Sequence, residues 1–328
     1  MKKMIVAGNM GADYVKKIDS YPERGRLSSI TDISRCVGGC ACNTAVALAR
    51  LDRNISVTSM GRVGGDENGR YICETLKREN IANSIIVDAS LPTSFTDVMS
   101  ESRGERTFFH ARGANAAFTY DDIPFDRLDC DLFHIGYILL LDSMDAGDSE
   151  YGTVMARTLA RIRSLGIKTS VDLVSENTDR FSRLVTPSLK HCDYCIVNEI
   201  EASLVTGLPL REASREDSIK QMLRKLLELG VHELAVIHAP EGGWALSKSG
   251  EYAYVPSLDL PDGRIKGHVG AGDAFCAGML YGLSRGFGLS QSLETAAGAA
   301  ACNLTEANSV DGLRDYQGTL EMINRWKK

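Results

Sequence analysis

The chain has no excess of positive charge, no long apolar run and no even, loop-rich set of cysteines, and each absence removes a class of protein. With 37 Lys and Arg against 43 Asp and Glu, and a net charge of −6, it offers no broad basic footprint for nucleic acid or an anionic membrane surface. No window reaches the length of a transmembrane helix, and the run MKKMIVAGNMGADYVKK breaks into Gly, Asn and Asp before it forms the apolar stretch of a signal peptide. The 9 cysteines, an odd number, lie in segments that read as helices and strands, which points to free thiols in a reducing cytoplasm. Cys192 and Cys195 have CxxC spacing, but no second pair completes a zinc site, and buried thiols are the better reading. None of the 6 histidines falls in an HExxH pattern. A dinucleotide-binding GxGxxG does not follow the first strand, where Gly8-Asn9-Met10-Gly11 stands instead. Internal repeats, low-complexity tracts and dividing linkers are also missing.

What is present is an alternation of short apolar runs with amphipathic ones. Met4 to Gly8, Ile55 to Met60, Leu132 to Ile135, Thr169 to Leu173, Tyr194 to Val197 and Leu234 to His238 read as strands. Ala41 to Leu51, Glu67 to Asn80, Tyr151 to Ser164 and Glu216 to Leu229 read as helices, and the chain from Gly270 onward is nearly all helical. Such βα units predict an α/β fold with a mostly parallel sheet, and 328 residues allow one large domain or a main domain with an appendage. Two stretches break the pattern. Residues 14–36 and 93–112, the latter with a Ser102-Arg103-Gly104 turn, read as polar-faced strands that pair into a small sheet off the main one.

The segment Val269 to Gly278 carries the most chemistry. Gly270, Ala271 and Gly272 place backbone amides at the start of an apolar helix, where the amides and the helix dipole stabilise a phosphate, and Asp273 lies in the same turn to accept a proton. A plain helix cap with an acid in its first turn accounts for the same residues. Near the N-terminus, Asp13, the Gly38-Gly39 turn and Asn43 offer space and polar groups suited to sugar hydroxyls, though a turn Asp and a helix-start Asn are ordinary too. Asn198 and Glu201 follow a strand directly, at the edge where open α/β sheets bind ligands, and suit either water ligands of Mg²⁺ or an acidic first helical turn. Gly242, in Ala239-Pro240-Glu241-Gly242-Gly243, fits a turn along a nucleotide or a simple hairpin. His268 is a ligand contact or a loop histidine.

Taken together these segments resemble the ribokinase-like, or PfkB-type, carbohydrate kinases, nearly end to end. GAGDAFCAGML is similar to the family's C-terminal signature and VGGCACNTAVALARL to its N-terminal one. GRVGGDENGRYICETLKRENI, RTFFHARGAN and NEIEA fall between them in the family's order. The resemblance implies a three-layer α/β/α kinase domain over residues 1–328, with 14–36 and 93–112 as a β lid that closes over the sugar. It implies Asp273 as general base, Gly270, Ala271 and Gly272 as anion hole, and Asp13, Gly39, Asn43 and Asp142 as sugar contacts. It further implies Asn198 and Glu201 as the Mg²⁺-water motif, Gly242 as the nucleotide turn, and ATP and Mg²⁺ as cofactors.

Several positions depart from the family. Gly267 and His268 stand where an Asp-Thr pair is common, which puts monovalent-cation activation in doubt. Gly11 and Cys40 replace an Asn and a Lys of ribokinases proper, so ribose does not follow, and Ala239 replaces the first Gly of the nucleotide turn. The expected protein is a cytoplasmic sugar kinase acting on a hydroxymethyl group, with no nucleic-acid or membrane partner, and a homodimer through the exposed lid edge. A nucleoside kinase of the same fold, or a sugar-binding sensor without transfer activity, is the alternative. Arg112 is a surface arginine, or a contact for a substrate phosphate.

Overall fold

The computed structural model describes residues 3–101, 106–261 and 263–327. The expected turn at Ser102-Arg103-Gly104 lies outside them. Nine strands form one sheet: β1 (Lys3–Gly8), β4 (Ser56–Gly64), β5 (Ala82–Asp88), β8 (Leu132–Ile138), β11 (Lys168–Leu173), β12 (Tyr194–Asn198), β13 (Leu234–Ala239), β14 (Gly242–Ser247) and β15 (Tyr252–Pro256). Their order is β15-β14-β13-β12-β11-β8-β1-β4-β5, parallel except at the β13-β14-β15 edge.

The sheet is covered on both faces, and the sequence shows why. Along β1, Met4 and Val6 join one core cluster while Ile5 and Ala7 join the other, and along β13 Leu234 and Val236 part from Ala235 and Ile237 in the same way. Successive side chains of a strand point to opposite faces, so continuous apolar runs belong to strands buried on both sides. The first layer contains α1 (Cys40–Leu51), α2 (Glu67–Arg78), α8 (Ala271–Arg285) and α9 (Leu289–Leu304). The second contains α4 (Val154–Ser164), α5 (Phe181–Leu189), α6 (Glu199–Thr206) and α7 (Arg215–Leu229). A single-turn α3 (Asp142–Asp145) and the closing α10 (Tyr316–Trp326) complete the α-helices among the described residues. Helix α4 starts later than the pattern from Tyr151 predicts. Gly152 turns the chain at φ 87, a two-residue ribbon of β9 (Gly147–Asp148) and β10 (Gly152–Thr153) intervenes, and the Thr153 hydroxyl caps the helix by accepting from the Ala156 amide at 3.1 Å.

A second sheet, order β3-β2-β6-β7, stands off the first: β2 (Gly11–Ile18), β3 (Ile30–Gly38), β6 (Ser94–Glu101) and β7 (Arg106–Ala111). It is the small sheet expected from residues 14–36 and 93–112. Val15, Cys36 and Val98 of this sheet pack with Val269 of the loop before α8, so the small sheet, the expected lid, is anchored next to the glycine turn. Among the described residues all nine cysteines are free, Cys192 and Cys195 being fully buried, and no helix is long and apolar enough to cross a membrane.

Candidate active site

Chain order reverses beside β1: β4 and β5 lie on one side of it, and β8, β11, β12 and β13 on the other. Ligands of open α/β sheets bind at the carboxyl ends of strands where the order reverses. A cavity of about 720 Å³ opens there. Asn9 just beyond β1, Tyr137 in β8, Asp172 in β11, Asn198 in β12 and His238 in β13 all line it, and the lid supplies its roof. The cavity gathers Asp13, Gly39, Asn43, Asn198, Glu201, Gly270, Gly272 and Asp273, residues drawn from three distant parts of the chain.

Asp273 occupies the first turn of α8, which opens at Gly270. Gly270 has φ 78, and a Cβ there would stand 2.7 Å from the Ser309 carbonyl oxygen, so conformation and space both call for glycine. No side chain caps this end of the helix. The Ala271 amide donates to the His268 carbonyl at 3.3 Å and Ala271 does not line the cavity, whereas the Gly272 and Asp273 amides have no acceptor among the described residues. Gly270, Gly272 and Asp273 all line the cavity, and the last two have free amides among the described residues.

The Asp273 carboxylate is 5% exposed. Asn43 Nδ2 donates to its Oδ2 at 2.9 Å, and the Tyr137 hydroxyl lies 3.1 and 3.0 Å from Oδ1 and Oδ2. Burial, and then the charge of Asp172, push its pKa up to about 7, while the two hydrogen bonds oppose the rise. That value suits a group exchanging protons near neutrality. Tyr137 sits at φ 61 and Leu139 at φ 91, left-handed values that cost about 1–3 kcal/mol each for such residues and that gather at functional sites. The Tyr137 amide donates to Asp172 Oδ1 at 2.7 Å, which ties the strained turn to β11.

On the lid side, burial raises the pKa of Asp13 to about 6, opposed by a hydrogen bond from Thr96. Asn43 Oδ1 and Asn9 Nδ2 are buried with no partner among the described residues, a free acceptor and a free donor beside Asp13 in the cavity wall. Unsatisfied buried polar atoms cost about 1–3 kcal/mol each and mark places where a ligand completes the bonding.

Asn198 and Glu201 form a reciprocal cap on α6. Asn198 Oδ1 accepts from the Glu201 amide at 2.8 Å, and Glu201 Oε2 accepts from the Asn198 amide at 3.0 Å. Asn198 Nδ2 donates to Ser175 Oγ, which donates to Glu201 Oε1, both at 2.9 Å. Burial lifts the Glu201 pKa to about 7, and Asp172 adds to the rise.

Two expected contacts lie elsewhere. Asp142 is half exposed, does not line the cavity, and pairs with Arg112, whose guanidinium also donates to the Leu139 carbonyl at 2.7 Å and to Glu176. Arg112 lines the cavity with both terminal nitrogens of its guanidinium already engaged. Gly242 lies in β14, outside the cavity wall, opposite Ala239 in the hairpin. A Cβ at Gly242 would stand 2.5 Å from the Val255 carbonyl oxygen, so strand packing accounts for this glycine. His268 does line the cavity, and burial followed by the charge of Arg106 lowers its pKa.

Asn9, Thr96, Arg106, Tyr137, Asp172 and Cys276 also line the wall, and their residue types and spacing gave no sign of it. Tyr137 and Asp172 were hidden as apolar-strand residues. The one signal for them was their place at the carboxyl ends of two neighbouring parallel strands.

Comparison with known proteins bears on the family and the fold. Residues 1–315 match the model of the pfkB family carbohydrate kinases. The chain is 22% identical over 309 residues to the 5-dehydro-2-deoxygluconokinase of Clostridium perfringens, covering 92% of this chain and 88% of that one. Its fold matches the ribokinase of Giardia lamblia with a TM-score of 0.81 at 19% identity, over 98% of this chain and 99% of that one. The ribokinase of Arabidopsis thaliana, solved with ribose and ATP, matches with a TM-score of 0.79 at 21% identity, over 98% of each chain. The chain belongs to the PfkB family of carbohydrate kinases, phosphotransferases that take an alcohol as acceptor.

Proposed function

We propose that this kinase uses ATP and Mg²⁺ to phosphorylate a hydroxymethyl group of a small polyhydroxylated acceptor, with Asp273 as general base. The observation that carries the reading is the meeting, in one cavity, of a buried carboxyl of pKa about 7, two free helix-start amides and the unsatisfied Asn9 and Asn43. The acceptor's hydroxyls bond to Asp13, Asn9 and Asn43. Its reacting hydroxyl takes the place of the Tyr137 hydroxyl at Asp273 and gives its proton to that carboxylate. The alcohol oxygen bonds to the γ-phosphorus, the bond from that phosphorus to the ADP oxygen breaks, and the Gly272 and Asp273 amides meet the charge of the phosphoryl group in flight.

Mg²⁺ would be held through waters by Glu201, each of whose oxygens carries one protein hydrogen bond and keeps a further lone pair, with Asn198 and Asp172 beside it. When bound it supplies positive charge against the nucleotide phosphates. The nucleotide extends from the glycine turn toward the β13–β14 hairpin that contains Gly242, past His238. Residues 1–328 act as one kinase domain, with the lid excluding water from the transfer. Ile30, Ile33 and Phe109, exposed on the lid, support pairing of two copies through it.

The test is ADP release across panels of sugars, sugar derivatives and nucleosides with Mg·ATP. Turnover of sugars or their derivatives is expected. Turnover confined to nucleosides moves the chain to the nucleoside-kinase alternative, and none with any acceptor leaves a sugar-binding sensor.

A further inference from the structure

Arg106 is a cavity cation that forms no ion pair among the described residues. Arg106, Phe108 and His110 alternate along β7, and all three line the roof. Nε and Nη1 of Arg106 are buried with no hydrogen-bond partner among the described residues. Other shielded arginines are matched: Arg50 meets Glu79, Arg62 meets Asp88 and Asp122, and Arg112 meets Asp142 and Glu176. Burial holds the Arg106 guanidinium below its ordinary pKa, opposed only in part by the Cys36 thiol. A desolvated guanidinium without a counter-ion is costly, and its planar fork of donors fits carboxylate and phosphate oxygens in pairs.

The floor opposite is acidic, with Asp13, Asp172, Glu201 and Asp273. Away from the helix-start amides that serve the nucleotide phosphate, an anionic group on the acceptor finds carboxyls on the floor and a cation only at the roof. His110 is no competing cation: burial lowers its pKa to about 4, and its Nδ1 lies 3.1 Å from the Thr96 hydroxyl. The arrangement therefore has polarity, neutral hydroxyls below and one negative group above.

We propose that the acceptor carries an anionic group, a carboxylate or a phosphate, that Arg106 binds from the lid while the hydroxyls meet Asn9, Asp13 and Asn43. This rests on the sugar-kinase reading of the cavity and narrows its substrate to acidic or phosphorylated sugars.

Acceptors matched in carbon skeleton distinguish the two sources: neutral sugars, the corresponding aldonic and keto-aldonic acids, and sugar phosphates, assayed by ADP release with wild type, Arg106→Gln and Arg106→Lys. One anionic class is expected to exceed its neutral counterpart in kcat/KM by about 10²-fold or more. Arg106→Gln should erase most of that preference through the KM of the anionic acceptor, leave the KM for ATP in place, and be partly rescued by Arg106→Lys. Neutral sugars used as well as the acids and phosphates would overturn the proposal. So would an Arg106→Gln variant with raised KM for ATP and intact acceptor preference, which would give Arg106 to the nucleotide phosphates. Calorimetric binding of the same acceptors to Asp273→Asn separates the two readings. Anion-selective, Arg106-dependent binding without wild-type turnover sinks only the kinase mechanism, and turnover of neutral sugars alone sinks only the anion.

Discussion

Replacing Asp273 by Asn should give an enzyme that is both dead and more stable, with a stability gain that depends on pH. In the folded chain this carboxyl has a pKa of about 7, against an ordinary value of 3.8. The unfolded chain therefore loses this proton near pH 4, while the folded chain keeps it to near pH 7. Across that window the native state binds more protons, and stability falls as pH rises. At 1.36 kcal/mol per pKa unit, the penalty grows from under about 1 kcal/mol at pH 4 to roughly 4 kcal/mol at pH 8. Asn keeps an oxygen to accept from Asn43 and Tyr137 and cannot ionise, so it escapes the penalty. Taking about 2.1 cal/mol/K per residue for the unfolding entropy, the Tm gap between variant and wild type should widen by about 4–6 °C from pH 4 to pH 8. Any fixed cost of the new amide shifts both ends alike. Scanning calorimetry across that range, with kcat measured alongside, is the assay, and kcat should drop by about 10²-fold to 10⁴-fold. Parallel Tm curves would refute the buried, raised carboxyl, and turnover within a few-fold of wild type would refute its role as base.

Tyr137→Phe removes a hydrogen bond that favours ionised Asp273, so the acid limb of kcat/KM should move about one unit to higher pH, with turnover recovering in alkaline buffer; an unmoved limb excludes Tyr137 from setting the base. Glu201→Gln should raise the Mg²⁺ concentration for half-maximal rate by about 10-fold and leave the metal-free protein folded, and an unchanged Mg²⁺ curve would argue for a purely capping carboxylate. Gly270→Ala forces a side chain into φ 78 and toward the Ser309 carbonyl, and should cost about 1–3 kcal/mol in denaturant melts along with most of the turnover.

The architecture was legible because its determinants are local. Runs such as Met4 to Gly8 and Leu234 to His238 are apolar on both faces, which only a sheet covered on both sides explains, and the two polar-faced stretches announced a sheet of another kind. Asp273, Asn43, Asp13 and Glu201 were legible for a related reason: each stands next to a glycine turn or a strand end, where backbone geometry writes itself into residue choice. Tyr137, Asp172 and Arg106 were not. Each lies within a strand whose pattern is satisfied without it, and each acquires its part in the site only through register: Tyr137 reaches Asp273 across 136 positions of the chain, and Asp172 meets it through its charge.

Gly242 and Asp142 are the two motif positions that stand outside the cavity wall, each held by surroundings of its own. The Val255 carbonyl oxygen leaves no space for a side chain at Gly242, and Arg112 engages Asp142 at the protein surface. Both illustrate that a motif position constrains backbone and charge before it constrains chemistry. The clearest chemical signal in the cavity is therefore imbalance: a carboxyl whose pKa is raised to about 7 and, among the described residues, an acceptor and a donor without partners and a guanidinium without a counter-ion. A core selected for stability alone would have removed each of these, since every one destabilises the empty protein. Their persistence together in one cavity is what a bound, charged, hydroxyl-rich ligand would resolve.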